Sequence, residues 1–255
     1  MVNYAFIGVE GNHDQAFVGK ILKLLGLEDF REKKGGLRQN LDPFWSKLIP
    51  SYPTKKGELY KRLPMPSILY NKTLSVAIYG GEGSSLKKNV DAVLTNESKY
   101  QTDLSSFIII ADADDKPVNK IVTDYANYFQ TYFPDFPNEA GVINQSGSTS
   151  TGIYVLPNNN SQGTLDKLLC QCGEVAYSEY MSRATDYLEK FTERKWKKFD
   201  YEKALIATIV SVLKPGKTNT VSINDNNWVS AVTQEQVHDL KVFIEFIAAS
   251  LNITF

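Results

Sequence analysis

Cysteine and histidine are scarce in this sequence of 255 residues, which contains two of each. Cys170 and Cys172 have C-x-C spacing, unlike the repeated C-x₂-C pairs of zinc knuckles, and no second pair exists. His13 and His238 lie far apart in the sequence, which argues against a histidine-rich zinc site. We therefore expect ordinary reduced thiols, and we expect any metal site to use oxygen ligands.

An excess of one charge and long apolar runs are also missing. The net charge is −1, so any contact with nucleic acid must come from local basic clusters. No apolar run approaches the roughly 20 residues that span a bilayer. The first residues lack the basic and apolar regions of a signal peptide. These absences predict a soluble, cytoplasmic protein with no membrane partner.

What the sequence does contain is an alternation of short apolar strands and amphipathic helices, which is typical of an α/β fold with a mainly parallel, Rossmann-like sheet flanked by helices. The predicted strands are 4–9, 74–79, 106–111, 141–144 and 152–156. The predicted helices start near residue 12 and then cover 84–95, 117–133, 163–191 (one long or broken helix), 201–213 and 237–251.

Two regions depart from this alternation. Residues 28–67 are rich in basic residues, prolines and aromatics, and we interpret them as an irregular insertion or a lid after the first helix. Residues 214–255 begin with Lys-Pro-Gly-Lys, which ends the preceding helix, and form a helical C-terminal extension. We expect a catalytic domain at 1–213, with 214–255 packed on the same domain.

Acidic residues follow two of the predicted strands. Glu10 follows the first strand, and Asp112 and Asp114 follow the strand at 106–111. Side chains at i and i+2 share a face of an extended segment, so these two carboxylates would repel each other unless a cation lay between them. Mg²⁺ prefers such oxygen ligands, with Mn²⁺ as the alternative ion. A lone D-x-D is often a helix cap or turn, but functional sites in parallel sheets form at the carboxyl ends of strands.

The segments V-E-G-N-H-D (9–14) and I-I-I-A-D-A-D-D (108–115) resemble the Toprim domain of topoisomerases, primases, small ribosomal-RNA maturases and overcoming-lysogenization-defect (OLD) nucleases. Within that superfamily the chain is most similar to stand-alone proteins of the DUF3226 type. The element N-S-Q-G-T-L-D (160–166) and the lysine-alanine pair at 203–204 support this resemblance. OLD proteins carry an ATPase domain joined to Toprim, and we expect any such ATPase here to be a separate chain.

The resemblance implies a role for each matched residue. Glu10 would act as general acid/base or metal ligand, and Asp112 and Asp114 as Mg²⁺ ligands. Asp166 would contribute to a second metal, with a helix-start charge as the alternative explanation. Lys203 would neutralise charge on the transition state, with a solvated surface lysine as the alternative.

Several neighbouring residues have simpler explanations. We expect Asp14 to be a helix cap rather than a ligand, and Asp115 is also a capping candidate. Glu174 is a further candidate for the second metal, and His13 could contact a phosphate. Nucleic-acid binding is assigned to a basic cluster around Trp196, for which a solvated helix terminus is the alternative: Arg194, Lys195, Lys197 and Lys198.

These features predict a Mg²⁺-dependent endonuclease that hydrolyses phosphodiester bonds in DNA or RNA; a defence role against mobile elements rests on family analogy alone. The alternative is a non-catalytic Toprim-fold binding module that works with a separate ATPase subunit, and a homodimer stays open. A haloacid-dehalogenase-type phosphatase is disfavoured because its D-x-D follows the first strand. Topoisomerase and primase activities are disfavoured because no nucleophilic tyrosine or zinc-binding region stands out.

Overall fold

Short apolar segments build a single sheet in the computed structural model, which describes residues 2–33, 37–49 and 65–254. Within these residues the sheet has seven strands. They are β1 (Asn3–Val9), β2 (Glu28–Asp29), β3 (Ser67–Tyr70), β4 (Leu74–Gly80), β5 (Ser106–Asp112), β6 (Ile143–Asn144) and β7 (Ser150–Leu156).

The strand order is β2-β3-β4-β1-β5-β7-β6. The four long strands β4, β1, β5 and β7 run parallel, and the short outer strands pair antiparallel. Val9 is opposite Gly80 on one side and Ile110 on the other, so β4, β1 and β5 end close to one another. The expected α/β fold with a mainly parallel sheet is confirmed.

Helices cover both faces of this sheet. They are α1 (Asn12–Leu24), α2 (Leu37–Asn40), α3 (Leu86–Asn96), α4 (Lys99–Thr102), α5 (Val118–Phe129), α6 (Leu165–Ala176), α7 (Ser178–Glu189), α8 (Asp200–Leu213), α9 (Asn219–Asp225), α10 (Ala231–Gln236) and α11 (His238–Ser250). The core on one face packs α1 and α6–α11 against side chains such as Ile7 and Ile108. The core on the other face packs α3 and α5 against the alternate side chains, such as Phe6 and Phe107.

Much of the segment 28–67 that the structure describes is irregular, as expected, but it is packed into the domain. Strands β2 and β3 extend the sheet at its edge, and Phe30 and Trp45 are fully buried. The indole Nε1 of Trp45 donates a hydrogen bond to Ser75 Oγ at 2.9 Å. These strands are too short to show a periodic pattern, so they depend on their neighbours in the sheet. Residues 34–36 and 50–64 of the segment lie outside the described residues.

The C-terminal helices form part of the core that contains Ile7 and Ile108. Phe243 of α11 packs edge-on against Tyr154 of β7, with ring centroids 4.7 Å apart. Ser106 Oγ of β5 donates a hydrogen bond to the carbonyl of Ser250 at 2.8 Å. The predicted helix at 163–191 is divided at Tyr177 into α6 and α7. Among the described residues, no helix has the length and apolarity needed to cross a bilayer.

Candidate active site

Two of the predicted acidic residues meet at the carboxyl edge of the sheet. Glu10 follows the last residue of β1, and Asp112 is the last residue of β5. Because β1 and β5 are parallel neighbours, Glu10 Oε1 accepts a hydrogen bond from the backbone N–H of Asp112 at 3.1 Å. The sequence placed both residues at strand ends, and the structure brings them into direct contact.

Two helices begin at this edge of the sheet. Asp14, in the first turn of α1, accepts a hydrogen bond from the N–H of Gly11 at 2.7 Å. Asp112 Oδ1 accepts one from the N–H of Leu165, the first residue of α6, at 2.9 Å. Asp166 follows in the same turn and is 8% exposed. The positive ends of two helix dipoles therefore point to a group of carboxylates, and they would also favour a bound phosphate.

These side chains line one open cavity of about 340 Å³. Its walls include four carboxylates, one imidazole and one amine: Glu10, Asp14, Asp112, Asp166, His13 and Lys203. The carboxylates are oxygen donors of the kind that Mg²⁺ and Mn²⁺ prefer, so the donor chemistry fits. As the side chains stand, however, the described residues contain no group of three or more acidic, histidine or cysteine side chains arranged to hold an ion.

Asp114 does not line this cavity, although its charge contributes to raising the pKa of Glu10 and Asp112. The expectation that it shares a face with Asp112 is wrong, because its backbone is left-handed, with φ of 50°, and this ends the extended geometry of β5. Two backbone hydrogen bonds with Gly163, of 2.8 and 3.0 Å, hold that conformation. The side chain of Asp114 is exposed and does not line the cavity.

Three other expectations about acidic residues change. Asp14 is not the cap of α1: that position is Gly11, and Asp14 is the third helical residue, whose carboxylate reaches back to the cap. Asp115 does not cap α5, whose N-cap is Pro117 with no side-chain hydrogen bond. Glu174 is exposed on α6, outside the lining of the cavity.

The predicted nucleic-acid-binding residues Arg194, Lys195, Lys197 and Lys198 lie in the connection between α7 and α8 rather than on a helix. Lys198 Nζ donates a hydrogen bond to Gln162 Oε1 at 2.5 Å. Gln162 Nε2 in turn donates to the carbonyl of Asp115 at 2.5 Å. The basic connection is therefore attached to the loop that follows β5.

Comparison with known proteins gives the family. A model of DUF3226, described as a protein of unknown function, matches residues 4–252. The chain belongs to the DUF3226 family. Among solved structures, a hypothetical protein from Pyrococcus horikoshii OT3 is similar with a TM-score of 0.48 and 16% identity, over 99% of this chain and 96% of that one. No curated protein matches the chain.

Burial and mutual repulsion dominate the electrostatics of this DUF3226 site. Burial, followed by the charge of Glu10, raises the pKa of Asp14 to about 7. Burial also raises the pKa of Glu10, and burial together with the charges of Asp14 and Glu10 raises that of Asp112 well above its usual range. The carboxylates are therefore crowded, and a cation that bound here would relieve the repulsion.

Asp166, His13 and Lys203 form a second group of charged and titratable side chains in the lining of the cavity. Burial raises the pKa of Asp166, while the positive charges of His13 and Lys203 lower it. Burial lowers the pKa of His13, against the opposing effect of Asp166. Asp166, Lys203 and His13 therefore lie near one another in the lining of the cavity.

Asp14 and His13 are closer to the centre of the site than their sequence context suggested. Both occupy the first turn of a helix that starts immediately after Glu10, and that turn faces the ends of β1 and β5. Their position in the sequence could have indicated this. In a parallel sheet, the helix that follows a strand begins at the edge where functional sites form. Every polar residue in the first turn of such a helix is therefore a candidate site residue, in addition to the residue at the strand end.

Proposed function

We propose that this DUF3226 protein is a Toprim-like, metal-dependent nuclease that hydrolyses phosphodiester bonds in DNA or RNA. The observation that carries the proposal is the direct hydrogen bond that joins Glu10 to Asp112 across neighbouring strand ends, with Asp14 buried beside them. In the Toprim family, which the sequence resembles, acidic residues at these two strand ends bind Mg²⁺ next to a phosphodiester. The relationship to OLD nucleases is part of the same proposal.

The carboxylates are the groups that would hold the metal. Glu10 and Asp112 face the cavity together, with Asp14 and Asp166 on its walls. A bound Mg²⁺ would supply charge neutralisation at the phosphate and a more acidic water. The N–H of Leu165, at the start of α6, donates a hydrogen bond to the carboxylate of Asp112 and so fixes the orientation of that side chain.

The remaining polar groups suit an anionic substrate. The N-termini of α1 and α6 favour negative charge at the cavity, and Lys203 in the first turn of α8 adds a full positive charge. Lys203 is exposed, so it can reach a phosphate in the opening of the cavity. His13 is placed to donate a hydrogen bond to the same group.

A second candidate is a Toprim-fold binding module that does not cleave and works with a separate ATPase subunit. The exposed position of Asp114 favours it, because that residue would be a metal ligand in the family but lies outside the cavity here. Under this alternative the cavity binds a metal or phosphate without hydrolysis.

The test combines metal binding with cleavage. Plasmid DNA and structured RNA are incubated with the protein in Mg²⁺, Mn²⁺ or EDTA, and Mg²⁺ binding is measured separately by calorimetry. We expect metal-dependent cleavage that is lost in Glu10→Gln and Asp112→Asn. Glu174→Gln is the matched control, because this glutamate is exposed and outside the cavity.

The two readouts separate the candidates. Mg²⁺ binding that depends on Glu10 and Asp112, without cleavage of either polymer, contradicts the nuclease and supports the binding module. Cleavage that persists in EDTA, or in both cavity variants, contradicts a metal site at this edge of the sheet.

A further inference from the structure

The connection between α7 and α8, residues 190–199, differs in composition from the rest of the chain. It contains five Lys and Arg residues and one Glu, whereas the whole chain carries a net charge of −1. It also contains three aromatic residues. We call residues 190–199 the basic connector. It forms no helix or strand from 191 to 199, and a turn at residues 198–199 leads into α8.

Large aromatic rings are exposed along this surface. The exposed fractions are 50% for Phe191 and 39% for Trp196, and Tyr187 at the end of α7 is 53% exposed. Tyr187 and Phe191 contact each other edge-on, with ring centroids 5.2 Å apart. Exposed rings of this size are costly in water unless something covers them.

The cations of the basic connector are available to a ligand. Among the described residues, none of its lysines or its arginine forms an ion pair with a carboxylate. The guanidinium of Arg194 lies over the ring of Trp196, 4.7 Å from its centroid. Nη1 of Arg194 is buried and has no hydrogen-bond acceptor among the described residues. Lys195, Lys197 and Lys198 are exposed, so their amines are the groups that a phosphate can reach directly.

The basic connector also lies next to the acidic cavity. Lys198 is tied through Gln162 to the loop after β5, the strand that ends in Asp112. At the other end, α8 begins at Asp200 and places Lys203 in the wall of the cavity. A polymer bound along the connector would therefore run toward the carboxylates.

We propose that the basic connector, together with Tyr187, binds a single-stranded nucleic acid. Its bases stack on Tyr187, Phe191 and Trp196, and its phosphates contact Arg194 and the lysines. A single strand fits better than a duplex, because base faces are available for stacking only when the bases are unpaired. Only the direction of the strand, toward the cavity, rests on the proposed nuclease function.

Binding is tested in EDTA, so that no cleavage interferes. Fluorescence anisotropy of a labelled 20-nucleotide oligo-dT, its RNA counterpart and a duplex of equal length gives the three affinities. We expect each single strand to bind at least about tenfold more tightly than the duplex. Trp196→Ala and Phe191→Ala should each weaken single-strand binding by about 5- to 100-fold, while Trp196→Phe, which keeps a ring, should retain most of the affinity.

The phosphate contacts are tested by salt dependence. Lys195→Gln combined with Lys197→Gln should reduce the slope of log K against log salt by about 1.4, the value for two lost contacts to a single strand. The control is Lys72→Gln combined with Lys88→Gln, because both lysines are exposed far from the connector in sequence. Thermal melts of all variants confirm folding, which these exposed positions should not disturb.

Each outcome decides the proposal. Equal affinity for single strands and duplex, unchanged affinity of the aromatic variants, or equally strong competition by polyglutamate would overturn it. Cleavage of DNA or RNA without preferential single-strand binding refutes this proposal and leaves the nuclease. Single-strand binding by a chain that cleaves nothing supports this proposal and contradicts the nuclease.

Discussion

The buried carboxylate of Asp14 should make the stability of the metal-free protein fall as pH rises. The pKa of Asp14 is raised from 3.8 to about 7, by burial first and then by the charge of Glu10. Between these two values the folded protein holds a proton that the unfolded chain has released. The free energy of unfolding therefore decreases across this window and levels off above it.

Asp14→Asn tests this directly. The amide oxygen can still accept the hydrogen bond from Gly11 N–H, but the side chain no longer ionises. From about pH 5 to about pH 7 the wild-type protein loses about 2 kcal/mol on account of this one group, because between the two pKa values each pH unit changes the free energy of unfolding by up to about 1.4 kcal/mol. The stability of the variant relative to wild type should therefore improve by up to about 3 kcal/mol between about pH 5 and about pH 8.

Urea denaturation in EDTA at several pH values measures the difference. Asp186→Asn is the matched control, because Asp186 is exposed on α7. If Asp14→Asn changes stability by the same amount at every pH, or if the wild-type protein becomes more stable as pH rises, then Asp14 is not held in the crowded, desolvated environment described above.

Three further predictions concern the metal and the packing. Mg²⁺ should raise the melting temperature more at about pH 8 than at about pH 6, because metal competes with protons for the carboxylates. Gly81→Ala should lower the free energy of unfolding in urea by about 2–3 kcal/mol, since its Cβ would lie 2.5 Å from Cα of Leu86. Gly83→Ala should lower it by about 1 kcal/mol, because Gly83 has a φ of 65° but open space around it. Phe243→Ala should cost about 3–5 kcal/mol and Val232→Ala, at a 54% exposed position, less than about 0.5 kcal/mol; similar costs for the last pair would mean that α11 is not part of the core.

The sequence was sufficient to predict the parallel sheet and the position of Glu10 and Asp112 at its carboxyl edge. Both follow from local patterns, since apolar strands alternate with helices and strand ends of a parallel sheet share one edge. The position of Asp114 was not predictable in this way. Its left-handed backbone is held by hydrogen bonds to Gly163, which is distant in sequence. The same reason applies to β2 and β3, which form only because neighbouring strands offer partners.

The cavity holds a cluster of carboxylates, and the basic connector carries a cluster of cations. Each cluster favours a ligand of the opposite charge, and this is the physical reason for linking the two. Burial raises the pKa of Glu10, Asp14 and Asp112, and the charge of Glu10 raises the pKa of the other two further. The basic connector carries a local positive charge beside them without ion pairs among the described residues. The connector does not neutralise the carboxylates, because its cations lie on the surface outside the cavity. A divalent cation would satisfy the carboxylates and a polyanion the connector, and a nucleic acid bound with its metal would meet both needs at once.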